Sequence, residues 1–375
     1  MLAGWVAVLV ALFYLLTLFA VAYFGDTKGR FLLEGRFRPT IYALALAVYC
    51  TSWTFLGSVG VASRNGFDFL PIYLGPLLVI LLGMPLLARV VHIARVHRIT
   101  SVADFIGSRY GKSVKVAALV AVIAIVGTVP YIALQLKAIS ASLETIVFRE
   151  VGYVPQIAGL STLGDISLFV TLVLAAFAVA FGTRHVDATE HQNGLMLAIA
   201  AESFVKLIAF LAVGFFVVYV MFDGFGDLFT KAASEPRAVR LMEGKFDPVV
   251  WITTTFLAGC AILLLPRQFH VTVVENRDVR DLRQAGWQFP LYLVAINVFV
   301  FPIAIAGLIL MPGNDVDRDL MVIQLPLLAE AGWVALVAFI GALSAATAMV
   351  IVESVACGIM ISNDLVVPLL LRRPK

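Results

Sequence analysis

Nine apolar runs, each about as long as a membrane-spanning helix, constrain this chain more than any other feature. They cover residues 2–24, 40–62, 67–90, 116–146, 164–182, 194–222, 249–270, 287–311 and 326–362. About 20 apolar residues cross the hydrocarbon core of a bilayer. Hydrophobic residues make up 61% of the 375 residues and charged residues only 14%, so little is left for a soluble domain. The sequence predicts an all-α polytopic membrane protein whose solvent is the lipid bilayer.

The charge balance and the absence of catalytic motifs argue against a nucleic-acid-binding protein and an enzyme. A net charge of +3 is too small for a nucleic-acid-binding surface. The sequence carries no phosphate-binding loop, no HExxH zinc motif and no nucleophile elbow, so we expect no enzymatic activity and no cofactor. Most lysines and arginines, Arg267 at a helix end among them, fall in the loops after the odd-numbered runs. This bias predicts a bacterial-type inner-membrane protein with its N-terminus outside and its C-terminus in the cytoplasm.

Polar and small residues crowd the middle of the second run, in the stretch TSWTFLGSVG at residues 51–60. Each of its two glycines weakens a helix by about 1 kcal/mol relative to alanine. A broken helix that presents backbone groups to a bound solute fits this composition, although a close-packed helix interface would also use small residues. We expect an interruption near Thr51–Gly57, with Thr51, Ser52 and Trp53 in contact with the solute.

Other polar side chains lie where lipid would disfavour them. Tyr131 and Gln135, in the segment PYIALQLKA of the fourth run, are expected to face the second run across a cavity. Glu202 and Lys206 are four residues apart in the sixth run, so their side chains can meet on one helix face. They are expected to form either a structural ion pair or a proton relay. Glu353 in the ninth run is a further candidate for moving a proton or balancing a charge, or else a buried structural carboxylate.

Several motifs resemble those of the sodium/solute symporter family. They are SWTFLGSVG, HRITSVADFIGSRYG and PYIALQLKA. Three further segments, FGTRHVDATEHQNG, LLPRQFHVTVVEN and WQFPLYLVAINVFVFPIA, are similar to the transporter-like membrane part of CbrA-type sensor histidine kinases. The resemblance extends over essentially the whole chain.

The resemblance implies an inverted-repeat, LeuT-like transporter fold for residues 1–375. A leading helix at 2–24 precedes a first repeat at 40–222 and a partial second repeat at 249–362. The seventh run would be the broken partner of the second. Because the family core has two more helices, the resemblance also implies a fold truncated after the third helix of the second repeat.

The resemblance further places the family's sodium site. Two backbone carbonyl ligands fall at Ala47 and Cys50, but Ala348 and Met349 stand where the family has hydroxyl ligands. Only Thr347, after a shift in register, offers a side-chain oxygen to a hard cation. This departure favours proton coupling or ion-independent sensing over sodium coupling.

The sequence therefore predicts a domain that binds or transports a small organic solute. The resemblance makes an amino acid, histidine in particular, the first candidate. It also implies that the domain is the input part of a sensor kinase, whose absent kinase part would act on a response regulator. Two alternatives stay open: a pure sensing module with no net transport, and a stand-alone symporter coupled to sodium or protons.

Overall fold

The computed structural model describes residues 4–29, 31–32, 35–148, 168, 172–173, 175–176, 179, 192–244, 247–313 and 316–371. These residues are helical or lie in short connections, and none of them forms a strand. The α-helices are α1 (Gly4–Thr27), α2 (Arg38–Leu46), α3 (Ser58–Asn65), α4 (Pro71–Leu82), α5 (Met84–Val96), α6 (Val102–Arg109), α7 (Val114–Phe148), α8 (Asn193–Phe216), α9 (Phe225–Ser234), α10 (Pro236–Met242), α11 (Pro248–Leu264), α12 (Pro266–Phe269), α13 (Asp281–Asn297), α14 (Val300–Leu310), α15 (Met321–Leu328), α16 (Gly332–Met360) and α17 (Val367–Leu370).

Five helical segments in the described part of the chain are long and apolar enough to cross a membrane. They consist of α1, α7, α8, α13 with α14, and α16 with α17. Three bent pairs raise the count to eight if each pair is one crossing. Eight of the nine predicted runs match these segments. The fifth run, 164–182, lies outside the continuously described residues.

Helix α16 lies at the centre of the molecule and α7 at its periphery. In their most apolar stretches, 83% of α16 is buried but only 17% of α7. Helix α16 packs along α8 and α7, and Gly341 allows the aromatic ring of Phe55 to approach it. A Cβ atom at Gly341 would lie 2.4 Å from that ring and 2.7 Å from the Cβ of Ala209. The small residues of the ninth run thus let the second run contact the central helix directly.

Helices α4 and α11 touch backbone to backbone. A Cβ atom at Gly75 would lie 2.4 Å from both the amide nitrogen of Gly259 and the carbonyl oxygen of Thr255. Only glycine allows this approach. The contact fixes the third run against the seventh run, beside the cavity described below.

Helix α7 is continuous over 35 residues although Pro130 lies inside it. Tyr131 and Gln135 follow the proline at a spacing of four, so their side chains leave the same face of the helix. That face is directed towards the second run.

Candidate functional site

The second run is interrupted, as the sequence predicts. Helix α2 ends at Leu46, a 3-10 turn covers Ala47–Tyr49, and Cys50 has extended backbone angles. A π-helical turn at Trp53–Gly57 then leads into α3. The two halves are bent by 68°. The break lies before Gly57, at the polar stretch Cys-Thr-Ser of residues 50–52. The two glycines lie in the helical half that follows the break.

The seventh run is interrupted as well, which confirms its prediction as a second broken helix. Helix α11 ends where Leu265 turns to extended angles, and Pro266 begins the short helix α12. The halves are bent by 55°. Proline suits the first turn of a helix because that position needs no backbone N–H donor.

Side chains from two other segments satisfy the carbonyl groups that the first break releases. The Nζ atom of Lys206 donates to the carbonyl oxygens of Ala47 and Cys50, each at 2.7 Å. The Nε2 atom of Gln268 donates to the carbonyl oxygen of Leu46 at 3.1 Å. Backbone groups at membrane depth need such partners because no water replaces them. The hydrogen bond from Gln268 to Leu46 therefore joins the two breaks directly, and Lys206 connects α8 to the first break.

The amide and hydroxyl groups at the same break are held from α7. The Oε1 atom of Gln135 accepts hydrogen bonds from the amide of Ser52 at 3.1 Å and from its hydroxyl at 2.6 Å. The hydroxyls of Thr51 and Tyr131 are 2.8 Å apart and share a hydrogen bond. The predicted solute-binding residues of the second and fourth runs thus bind each other.

A cavity of about 640 Å³ opens beside this cluster. Its size suits a small organic ligand. Aliphatic side chains of α6, α7 and α11 form much of its wall. Its polar or aromatic lining residues are Tyr49, Thr51, Trp53, Thr54, Thr128, Tyr131 and Arg267.

Of the five predicted solute contacts, Thr51, Trp53 and Tyr131 line the cavity. Ser52 and Gln135 do not belong to its wall, and both are buried. Gln135 lies behind the break and supports its backbone. We expected Gln135 to contact the solute. In the structure its side-chain amide oxygen instead accepts hydrogen bonds from Ser52.

Arg267 is the site residue that the sequence reasoning misplaced. We counted it among the loop charges at a helix end, but it is only 3% exposed and lines the cavity. Its Nη1 atom lies 2.8 Å from Oε2 of Glu353, and its Cζ atom lies 5.2 Å from the centre of the Tyr131 ring. Its Nε atom has no hydrogen-bond partner in the described part of the chain. The available signal was an arginine inside the apolar run 249–270, since charges at membrane depth mark function.

Glu202 and Lys206 do not form the structural ion pair that their spacing suggested. Lys206 is fully buried and binds the break, whereas the Oε1 atom of Glu202 accepts a hydrogen bond from the Thr347 hydroxyl. None of the residues that the structure describes donates a hydrogen bond to the other carboxylate oxygen of Glu202. The carbonyl oxygen of Glu202 also accepts a bond of 2.7 Å from the Ser344 hydroxyl. Glu202 therefore joins α8 to the central helix.

The positions at which the resemblance places sodium ligands have other partners or lack a side-chain oxygen. No group of three or more His, Cys, Asp or Glu side chains occurs among the residues that the structure describes. Ala348 and Met349 are fully buried and carry no side-chain oxygen. The carbonyl groups of Ala47 and Cys50, predicted as sodium ligands, accept hydrogen bonds from Lys206.

Comparisons with known proteins find one relative in sequence and one similar fold. No protein-family model matches the chain. An uncharacterized symporter of Bacillus subtilis (strain 168), YhjB, is 24% identical over 313 residues, which are 83% of this chain. The chain spans 59% of the length of that relative. A Na+-coupled sialic acid symporter, solved in a substrate-bound outward-open state, matches with a TM-score of 0.67 at 14% identity. That match covers 98% of this chain and 75% of the solved one.

These similarities support the sodium/solute symporter family as the one that the chain resembles. Both similar proteins are symporters rather than enzymes. The predicted fold class is confirmed by the helical architecture and by the structural match. The chain is thus an all-α, multi-pass membrane protein with the LeuT-like fold of a symporter.

Proposed function

We propose that this chain binds a small organic solute at the two helix breaks and carries it across the plasma membrane. The observation that supports the proposal best is the cavity itself, which lies where two interrupted helices meet. Interrupted helices at membrane depth typically line solute sites in transporters. The sequence similarity to a symporter supports the same function.

The proposed solute carries a carboxylate. Arg267 lines the cavity and contacts Glu353 through Nη1, and its Nε–H group has no hydrogen-bond partner among the described residues. A guanidinium is the side chain best suited to bind a carboxylate. The aliphatic wall would accommodate an apolar part, and the hydroxyls of Thr54 and Thr128 offer hydrogen bonds. An amino acid combines these features, and histidine remains our first candidate.

Uptake into proteoliposomes tests this proposal. We expect uptake of labelled L-histidine, and competition by other amino acids reports on the solute class. Histamine, which lacks only the carboxylate, should compete at least tenfold less well, because a hydrogen bond to a charged group contributes about 1.5–3 kcal/mol. Equal competition by histamine would remove the carboxylate from the proposal. Driving uptake with sodium, potassium or a pH gradient decides between sodium coupling, as in the structural neighbour, and proton coupling.

A paired substitution tests the role of Arg267. The double variant Arg267→Gln/Glu353→Gln removes both charges together and leaves groups that can still form a hydrogen bond. We expect it to fold and to lose at least tenfold in affinity for L-histidine. Arg283→Gln, at an exposed arginine, is the matched control and should bind normally. Unchanged affinity in the double variant would exclude Arg267 from solute binding.

A sensory role is the second candidate, and it rests on the loop motifs that resemble CbrA-type sensor kinases. In that case the solute would shift a conformational equilibrium with no net transport. The natural full-length protein in vesicles would then show solute-dependent autophosphorylation and phosphoryl transfer to a response regulator. Net uptake without either reaction would favour the transporter. Labelling of single cysteines from each side of the membrane tests the proposed outside N-terminus and cytoplasmic C-terminus.

A further inference from the structure

Lys206 occupies an unusual position for a charged side chain. It lies within α8, is fully buried, and donates hydrogen bonds of 2.7 Å to two backbone carbonyl oxygens. Both acceptors, Ala47 and Cys50, belong to the break in the second run. They are also the carbonyl groups at which the family resemblance places sodium. The ammonium group therefore stands where the resemblance implies a metal cation.

The residues at the ligand positions that the resemblance implies do not fit sodium. A sodium ion that loses its water needs several oxygen ligands, and the two carbonyl groups already accept bonds from an ammonium group. Ala348 and Met349 offer no side-chain oxygen, and the hydroxyl of Thr347 donates to Glu202. A metal ion at the same carbonyl groups would in addition meet the positive charge of Lys206 at close range.

We propose that the ammonium group of Lys206 is a tethered cation that takes the place of the sodium ion in this fold. This inference rests on the proposed transport function and concerns how its site is held together. A covalently attached cation binds the carbonyl groups without the loss of translational freedom that a free ion suffers. The break is then held in its bent form at any sodium concentration, and solute binding needs no sodium.

The charged and titratable groups around Lys206 are consistent with this role. Glu202 on the same helix interacts with it electrostatically, as do Cys50 at the first break and Arg267 at the second. Arg267 is itself paired with Glu353. The buried region thus holds two basic and two acidic side chains.

Thermal unfolding of the purified full chain in detergent, with ions alone as probes, tests the inference. For the unmodified protein we expect the same midpoint in sodium and in potassium at constant ionic strength. The length-matched neutral variant Lys206→Met leaves both carbonyl groups without a donor, so its midpoint should fall by at least about 5 °C. Lys137→Met, at an exposed lysine, is the control and should leave the midpoint unchanged.

A second variant probes the cation directly. Lys206→Ala should be restored in part by propylammonium, which supplies the atoms that the substitution removes, but not by neutral propanol. A midpoint of the unmodified protein that rises by several degrees in sodium would overturn the inference, as would a Lys206→Met variant as stable as its parent. If Lys206→Met and Lys206→Ala do not fold, the sodium series on the unmodified protein still decides. Failure to observe uptake would refute the proposed function and leave these results standing.

Discussion

The buried ion pair of Arg267 and Glu353 should contribute strongly to the free energy of unfolding, and substitutions can test this. The side chains are 3% and 0% exposed, and one contact of 2.8 Å joins them. Substituting one partner leaves the other charge buried without compensation. We therefore expect Glu353→Leu or Arg267→Met alone to lower the free energy of unfolding by about 3–5 kcal/mol.

The double variant Arg267→Met/Glu353→Leu should behave differently. Apolar residues of similar volume remove both desolvation penalties at once, so its stability should lie within about 1 kcal/mol of the unmodified protein. The sum of the single losses would instead be about 6–10 kcal/mol if the sites were independent. The difference between these outcomes is far larger than the error of a chemical denaturation measurement in mixed micelles.

Denaturation curves of the four proteins form a double-mutant cycle that isolates the pair. Arg283→Met, at an exposed arginine, should change stability by no more than about 0.5 kcal/mol and controls for loss of charge. Single variants that lose less than 1 kcal/mol, or a double variant whose loss equals the sum, would refute the reasoning. The double variant should also lose affinity for carboxylate solutes, which separates stability from binding.

Three further outcomes follow from the contacts at the breaks. Gln135→Leu leaves the amide of Ser52 without an acceptor, so denaturation should show a loss of about 1–3 kcal/mol. Tyr131→Phe removes the shared hydrogen bond with Thr51 and should cost about 0.5–1.5 kcal/mol by the same measurement, with a smaller effect if water replaces it. Gly75→Leu cannot be accommodated against the facing backbone, so its midpoint of thermal unfolding should fall well below that of the unmodified protein. An equally stable Gly75→Leu variant would contradict the backbone contact.

The interruption of the second run could be predicted because its cause is local. The short polar residues Thr51 and Ser52 disfavour a regular helix wherever the segment lies, whereas the glycines that follow them lie in helical turns. The partners that satisfy the break could not be predicted in the same way. Lys206 lies 159 residues from Ala47, and Gln268 lies 222 residues from Leu46. Such pairings depend on how the helices pack.

Residue type was a better guide than residue orientation. Gln135 was selected as a polar group at membrane depth, but the rotation of α7 directs its amide to Ser52 instead of the cavity. Arg267 was assigned to a loop because the charge bias of the membrane is a rule about helix ends. Its partner Glu353, 86 residues away, was identified separately, and only the fold brings the two together.

The contacts at the first break connect solute binding to helix movement. Gln135 from α7, Lys206 from α8 and Gln268 from α12 each hold a different backbone group of the break. Any of these helices that moves must therefore exchange or lose its bond, and an unpaired backbone group at this depth costs several kcal/mol. Thr51, Trp53 and Tyr131 line the cavity on the same segments, so the arrangement of the cavity wall follows the arrangement of the helices. A solute that binds one arrangement better than another shifts the population of helix positions by that difference in affinity.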